Sequence, residues 1–230
     1  HYPGERFAEA LENEGASLAA SQSFAGTQVM LDVPATRFTS ALGLLAEAVR
    51  RPELRDTDAT RHVALRLAEL DQQKANSAHW AAWALRNAVF DTTVRVQRLA
   101  GGEPATVADI TAPAVRKFHT RHYGPAGATL VMAGEFPVDP MELAEQCFGD
   151  WTNPDQVPVE HVSTRAASPT ALLLHRPGAV QADLRLGGFG IDRHDPRWPA
   201  FQVGAYAVGG AFLSRLNKVL REEQGYTYGV

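Results

Sequence analysis

Several motifs that mark self-contained enzymes are missing from this sequence of 230 residues. Its one cysteine, Cys147, excludes an internal disulfide and a cysteine-rich zinc site. The sequence contains no His-x-x-Glu-His, no Gly-x-Ser-x-Gly and no phosphate-binding glycine loop. These residues therefore do not encode the helix motif of zinc hydrolases, the nucleophile elbow of serine hydrolases or a loop that binds nucleotide phosphates.

Charge of one sign and long apolar runs are also scarce. The formal net charge is −4, and the basic residues are scattered among acidic ones. This distribution argues against nucleic acid or an anionic membrane as a partner. No apolar run approaches the roughly 18 residues that a membrane span needs, and no basic-then-apolar leader opens the chain. We therefore expect a soluble protein, cytoplasmic rather than secreted, in a compartment otherwise unknown.

What is present is a mixed pattern of helices and strands. Helices are predicted over 3–14, 35–50, 56–90, 111–122 and 139–149, and over 199–223. Strands are predicted over 16–24, 27–33, 129–136, 170–176 and 180–190, and from 226 onward. The polar stretch 72–80 should bend or break the longest helix. This mixture predicts an α+β protein built from two-layer α/β sandwich units.

One segment has the character of a linker. Residues 152–169 are polar, contain three prolines and show no periodicity. They divide the chain into a first α/β unit, 1–151, and the beginning of a second, 170–230. The helices before Gly15 and Gly225 both run into strands, which indicates a duplicated unit. We expect the chain to continue at both ends, so that the first unit lacks its start and the second its end.

The stretch near the C-terminus is the most informative. A run of small residues, 209–211, lies within the helix predicted over 199–223, whose end contains Leu220-Arg221, and Tyr228 follows just past Gly225. By themselves these residues describe an amphipathic helix with a glycine stop and an aromatic strand. With that spacing, however, the sequence resembles the pitrilysin/insulinase family of zinc peptidases, which includes the mitochondrial processing peptidases. The resemblance extends over nearly the whole chain.

The resemblance implies roles for particular residues. Arg221 and Tyr228 would bind substrate and stabilise charge that develops on the attacked carbonyl oxygen. In active members zinc is held by His-x-x-Glu-His and by a downstream glutamate, which Glu69 matches. Glu69 would be a metal ligand only if the histidine motif lies upstream of residue 1, and otherwise a surface or paired carboxylate. The pair His119 and His122 lacks a third ligand of evident spacing, which favours packing over metal binding.

One departure from the family pattern concerns the first predicted strand. Active relatives carry Asn-Ala where substrate is held in extended form, and this chain has Ala19-Ala20. Ala19, Ala20 and Ser21 are the candidate edge strand for a bound peptide. Loss of the asparagine amide suggests that this unit does no chemistry itself. No cofactor is then expected in this chain, and zinc would belong to a partner or to the missing upstream segment.

Three functions of the same family remain open. The first is the substrate-binding component of a zinc-dependent metalloendopeptidase, paired as a heterodimer with a homologous zinc-bearing subunit. The second is a self-contained zinc peptidase whose histidine motif lies upstream. The third is a non-catalytic scaffold of the same fold, and a smaller alternative is an unrelated α/β protein. Whether the chain is an enzyme by itself is left open by these residues.

Overall fold

A computed structural model describes residue 2 and residues 5–24, 26–91, 94–99, 101–157 and 171–230. The chain divides into two compact units, a first unit His1–Arg185 and a second unit Leu186–Val230. Residues 158–169, which are most of the predicted linker, lie outside the described residues. The predicted boundaries at 151 and 170 therefore stay a prediction.

The first unit contains seven described α-helices and one described hairpin. In chain order its elements are α1 (Arg6–Asn13), β1 (Ser17–Gln22), β2 (Thr27–Asp32), α2 (Phe38–Arg50), α3 (Asp56–Gln73), α4 (Ser77–Val89), α5 (Pro104–Ala108), α6 (Ala112–His122) and α7 (Pro140–Phe148). The break between α3 and α4 lies in the polar stretch where the sequence predicts it. The short helix α5 falls in a region that the sequence analysis leaves without structure.

Helix starts follow the capping rules. The Thr111 hydroxyl accepts a hydrogen bond from the Ala114 amide, and the Asp139 carboxylate accepts from the Met141 and Glu142 amides. Each cap satisfies donors that the first turn of a helix leaves free. Proline in the first turn of α6 and α7 also suits those positions. The predicted starts of these helices are confirmed.

The core lies between one face of the hairpin and two helices. Phe38, Leu42 and Leu45 of α2 are buried against Leu143 of α7. Further apolar side chains pack on this cluster, among them Leu18 of β1 and Val29 and Leu31 of β2. Helices on one side of a sheet form a two-layer arrangement. The predicted α+β class is confirmed.

The second unit is helical and interrupted. It contains α8 (Trp198–Ala205), a π-helical turn (Tyr206–Gly210), α9 (Arg215–Asn217) and a further π-helical turn (Lys218–Glu223). The prediction of one continuous helix over 199–223 is wrong. Residues 211–214 leave the helix, and the Ser214 hydroxyl accepts from the Asn217 amide to begin the next one.

Four predicted strands are not formed among the described residues. Residues 129–136, 171–176, 180–190 and 226–230 take no part in a described ladder, and β1–β2 is the sheet that the structure describes. The sequence predicts strand tendency, but a strand exists through hydrogen bonds to a neighbour. Those four predictions are therefore wrong for this structure. Among the residues that the structure describes, no helix is both long enough and apolar enough to cross a membrane.

Candidate functional site

Arg221 lies in the π-helical turn Lys218–Glu223 and its side chain is held firmly. Its guanidinium carbon stands 3.8 Å from the centre of the Phe212 ring. Its Nη2 donates to the Phe212 carbonyl oxygen at 3.2 Å and to the Glu222 carboxylate at 2.8 Å. The side chain is 17% exposed. Stacking on an aromatic face and hydrogen bonds to fixed acceptors give this cation a defined direction.

The Tyr228 side chain, in contrast to that of Arg221, is exposed to solvent. It is 97% exposed, so its ring is packed against nothing in its unit, Arg221 included. The chain between the two residues turns at Gly225, whose φ of 65° lies in the left-handed region that favours glycine. The structure thus places both predicted residues in the second unit, with Arg221 ordered and the Tyr228 hydroxyl open to a ligand.

Two buried polar residues lie beside this pair, and the sequence analysis did not single out either. Ser214 is 1% exposed and Asn217 is 5% exposed. The Asn217 side chain donates to the Ala211 carbonyl oxygen and accepts from the Val230 amide, each at 3.0 Å. A polar side chain inside an amphipathic helix is the sequence signal that could have pointed to Asn217.

The candidate edge strand forms as predicted. Ala19 pairs with Met30, Ala20 with Val29 and Ser21 with Gln28 in an antiparallel hairpin. Within the described residues this sheet has two strands, so the side of β1 away from β2 has no strand beside it. An edge of this kind presents a row of backbone donors and acceptors to an extended peptide.

The direction of each backbone group follows from the turn of the hairpin. The Ser23 amide donates to the Gly26 carbonyl oxygen at 2.8 Å, which marks this pair as hydrogen-bonded. Hydrogen-bonded and non-hydrogen-bonded pairs alternate along an antiparallel ladder. Ser21 and Ala19 therefore bond to β2, whereas the backbone groups of Ala20 point to the free edge.

The hairpin is fixed at its tip by two arginines that the sequence analysis did not identify. The Arg86 guanidinium of α4 lies 4.8 Å from the centre of the Phe24 ring. The Nη2 of Arg95 donates to the Phe24 carbonyl oxygen. Both contacts attach the tip of the hairpin to neighbouring segments of the first unit.

Glu69 lies on α3 and is engaged by a basic neighbour. Its carboxylate forms an ion pair with the Arg66 guanidinium at 2.9 Å, and its side chain is 60% exposed. No group of three or more histidine, cysteine or acidic side chains suited to a metal occurs among the described residues. A complete zinc ligand set that includes Glu69 would therefore need residues outside the described part of the chain.

The histidine pair on α6 is used in packing. His119 Nε2 lies 2.8 Å from the Val49 carbonyl oxygen, and its ring stacks on Tyr123 at 4.8 Å. The His122 ring lies 4.6 Å from that of Phe118. These contacts agree with the predicted preference for packing over metal binding.

Comparisons with known sequences match both parts of the chain. Residues 109–230 match the peptidase M16 inactive domain, and residues 1–101 match insulinase (peptidase family M16). An uncharacterized zinc protease of Streptomyces coelicolor is 31% identical over 137 residues, which are 56% of this chain and 29% of that protein.

Solved structures show the same fold. A peptidase M16 inactive domain from Pseudomonas fluorescens superposes with a TM-score of 0.74 at 21% identity, over 97% of this chain and 55% of that one. A protease from Helicobacter pylori gives 0.76 at 16% identity over the same shares. Pitrilysin gives 0.57 at 23% identity over 69% of this chain and 18% of its own. The chain therefore spans about half the length of the first two structures and under a third of the curated relative.

Proposed function

Because the chain belongs to the insulinase family of peptidases, family M16, we propose that it is the substrate-binding component of a zinc-dependent metalloendopeptidase. Its substrates would be peptides or small unfolded proteins in extended conformation. Its partner would be a homologous zinc-bearing subunit or half, because the described residues do not form a zinc site.

The observation that carries the proposal is the state of Arg221 and Tyr228. Arg221 is oriented by Phe212 and Glu222, and both of its described hydrogen bonds use Nη2. Within the described part of the chain, no hydrogen bond involves its Nη1. That donor group and the exposed Tyr228 hydroxyl can both donate to a peptide carbonyl oxygen. A fixed cation and a hydroxyl would stabilise negative charge as it develops there.

The β1 edge provides the second part of the proposal. An extended peptide that adds as a strand would bond to the outward backbone groups of Ala20, and main-chain pairing of this kind gives affinity with little dependence on sequence. Ala19 and Ser21 have small side chains, which leaves room for large substrate side chains on that face. This agrees with a component that holds varied peptides.

The test replaces the two donors in the full-length chain, combined with its zinc-bearing partner, and follows cleavage of a quenched fluorescent peptide. Arg221→Ala and Tyr228→Phe should each lower kcat by about 10²–10³ if each removes a transition-state donor. Tyr226→Phe is the matched control, because Tyr226 is also exposed and lies two residues away. Unchanged cleavage in both variants would contradict the proposal and favour a non-catalytic scaffold of the same fold.

A second candidate is a self-contained zinc peptidase, and the exposed carboxylate of Glu69 favours it. An arginine partner at 2.9 Å can be displaced by a cation, since an exposed pair of this type is worth little. Elemental analysis of the full-length chain decides between the two. About one zinc per chain, lost in Glu69→Gln but kept in Glu47→Gln, would establish the second candidate, whereas a folded chain without zinc would rule it out.

A further inference from the structure

We infer that Asn217 is a positioning residue for Tyr228: its side chain holds the segment that carries the tyrosine against the helix that carries Arg221. This inference rests on the proposed function of Arg221 and Tyr228. The segment, residues 226–230, is called the tyrosine segment below.

The tyrosine segment is bonded to the helix on both sides of Tyr228. Before it, the Tyr226 amide donates to the Leu220 carbonyl oxygen at 2.8 Å. After it, the Val230 amide donates to Asn217 Oδ1 at 3.0 Å. The first bond is made by backbone and is insensitive to sequence. The second depends on the side chain of Asn217. Tyr228 therefore lies between a backbone hydrogen bond that any sequence could make and a side-chain hydrogen bond that requires Asn217.

The surroundings of Asn217 make the second anchor strong. The side chain is buried, and its amide Nδ2 also donates to the Ala211 carbonyl oxygen. Its backbone amide donates to the buried Ser214 hydroxyl at 3.3 Å. A buried amide with donor and acceptor both satisfied has one stable orientation, because any rotation leaves a polar group unpaired.

The same asparagine is linked to the setting of Arg221. Asn217 fixes Ala211, and the next residue, Phe212, provides both the ring and the carbonyl oxygen that orient Arg221. Asn217 therefore contacts the segment next to each of the two proposed substrate-binding residues: Ala211 precedes Phe212, which orients Arg221, and Val230 follows Tyr228 by two residues. Loss of both bonds should leave Tyr228 free to move relative to Arg221.

The test uses Asn217→Leu, which keeps the shape of the side chain and removes both hydrogen bonds. In the full-length chain with its zinc-bearing partner, kcat should fall roughly ten- to a hundredfold with KM changed far less, since small misplacement of a catalytic group has effects of this size. Amide hydrogen exchange of Val230 should become faster. Asn217→Asp keeps an acceptor for the Val230 amide but loses the donor to the Ala211 carbonyl oxygen. Val230 exchange should therefore return toward the wild-type rate, whereas kcat should recover only in part.

Asn87→Leu is the matched control. Asn87 also makes two side-chain hydrogen bonds, one to the Trp83 carbonyl oxygen and one from Gln97 Nε2, but it lies on α4 of the first unit. It should leave kcat and Val230 exchange unchanged. If Asn217→Leu does not fold, Asn217→Ala is measured with the same two readouts.

A double-mutant cycle separates this inference from the proposed function. If Asn217 acts by placing Tyr228, then Tyr228→Phe should cost much less in the Asn217→Leu background than alone. Additive losses, or a normal kcat in Asn217→Leu when Tyr228→Phe is impaired, would overturn the positioning role and leave the proposed function intact. No effect of Tyr228→Phe in either background would overturn both.

Discussion

The free edge of β1 allows a sharp test by proline substitution at two neighbouring residues. Proline lacks an amide hydrogen and is accepted in a sheet where that group faces away from the neighbouring strand. The alternation of the hairpin places the Ala20 amide on the free edge and the Ala19 amide toward β2. Ala20→Pro should therefore remove a donor to the substrate, and Ala19→Pro should remove a donor to the hairpin.

Ala20→Pro should mainly lower kcat/KM, whereas Ala19→Pro should mainly lower the free energy of unfolding. One hydrogen bond to a bound peptide is worth about 0.5–1.5 kcal/mol net, which corresponds to roughly a two- to tenfold fall in kcat/KM for Ala20→Pro. The free energy of unfolding should change little, since no described ladder bond is lost. Ala19→Pro leaves an acceptor of β2 unpaired, so it should destabilise the protein by about 1–3 kcal/mol.

Two assays read the pair of variants. Urea unfolding gives the change in stability, and cleavage of a fluorescent peptide by the full-length chain with its partner gives kcat/KM. Equal destabilisation by both substitutions would refute the assignment of outward and inward backbone groups. A stable Ala20→Pro variant with unchanged kcat/KM would refute the use of this edge by substrate.

Three further predictions concern the first unit. Leu42→Ala should lower the free energy of unfolding by about 2–5 kcal/mol in urea titration, because Leu42 is buried at 2% exposure, whereas Met30→Ala on the open face should change it little. Asp139→Ala removes the cap of α7 and should cost about 1 kcal/mol in the same titration; a loss near zero would contradict the capping contacts. Burial raises the pKa of the Cys147 thiol, with Arg50 opposing the shift. Alkylation of Cys147 by iodoacetamide should therefore be slower than that of free cysteine at pH 8 and should keep rising at higher pH, and equal rates would refute the shift.

Local sequence was sufficient for the helix starts and for the hairpin. Thr111 and Asp139 cap helices because a side-chain oxygen next to a free backbone amide acts within a few residues. The hairpin of β1 and β2 likewise pairs residues close in the chain. The candidate site residues came from the spacing of Arg221 and Tyr228 and from the family resemblance. The comparisons with known sequences support that resemblance.

Tertiary structure decided which extended segments became strands and which residues hold the site in place. Residues 129–136 and 180–190 have the composition of strands, yet a ladder needs a partner, and a partner distant in sequence cannot be read from local composition. The break before Ser214 is different, because Gly209-Gly210 is a local signal for it that the prediction of one helix over 199–223 did not use. The hydrogen bond from the Val230 amide to Asn217 requires the chain to turn back toward the helix. No local pattern encodes this contact, because the partners of a buried amide are set by the segments that pack around it.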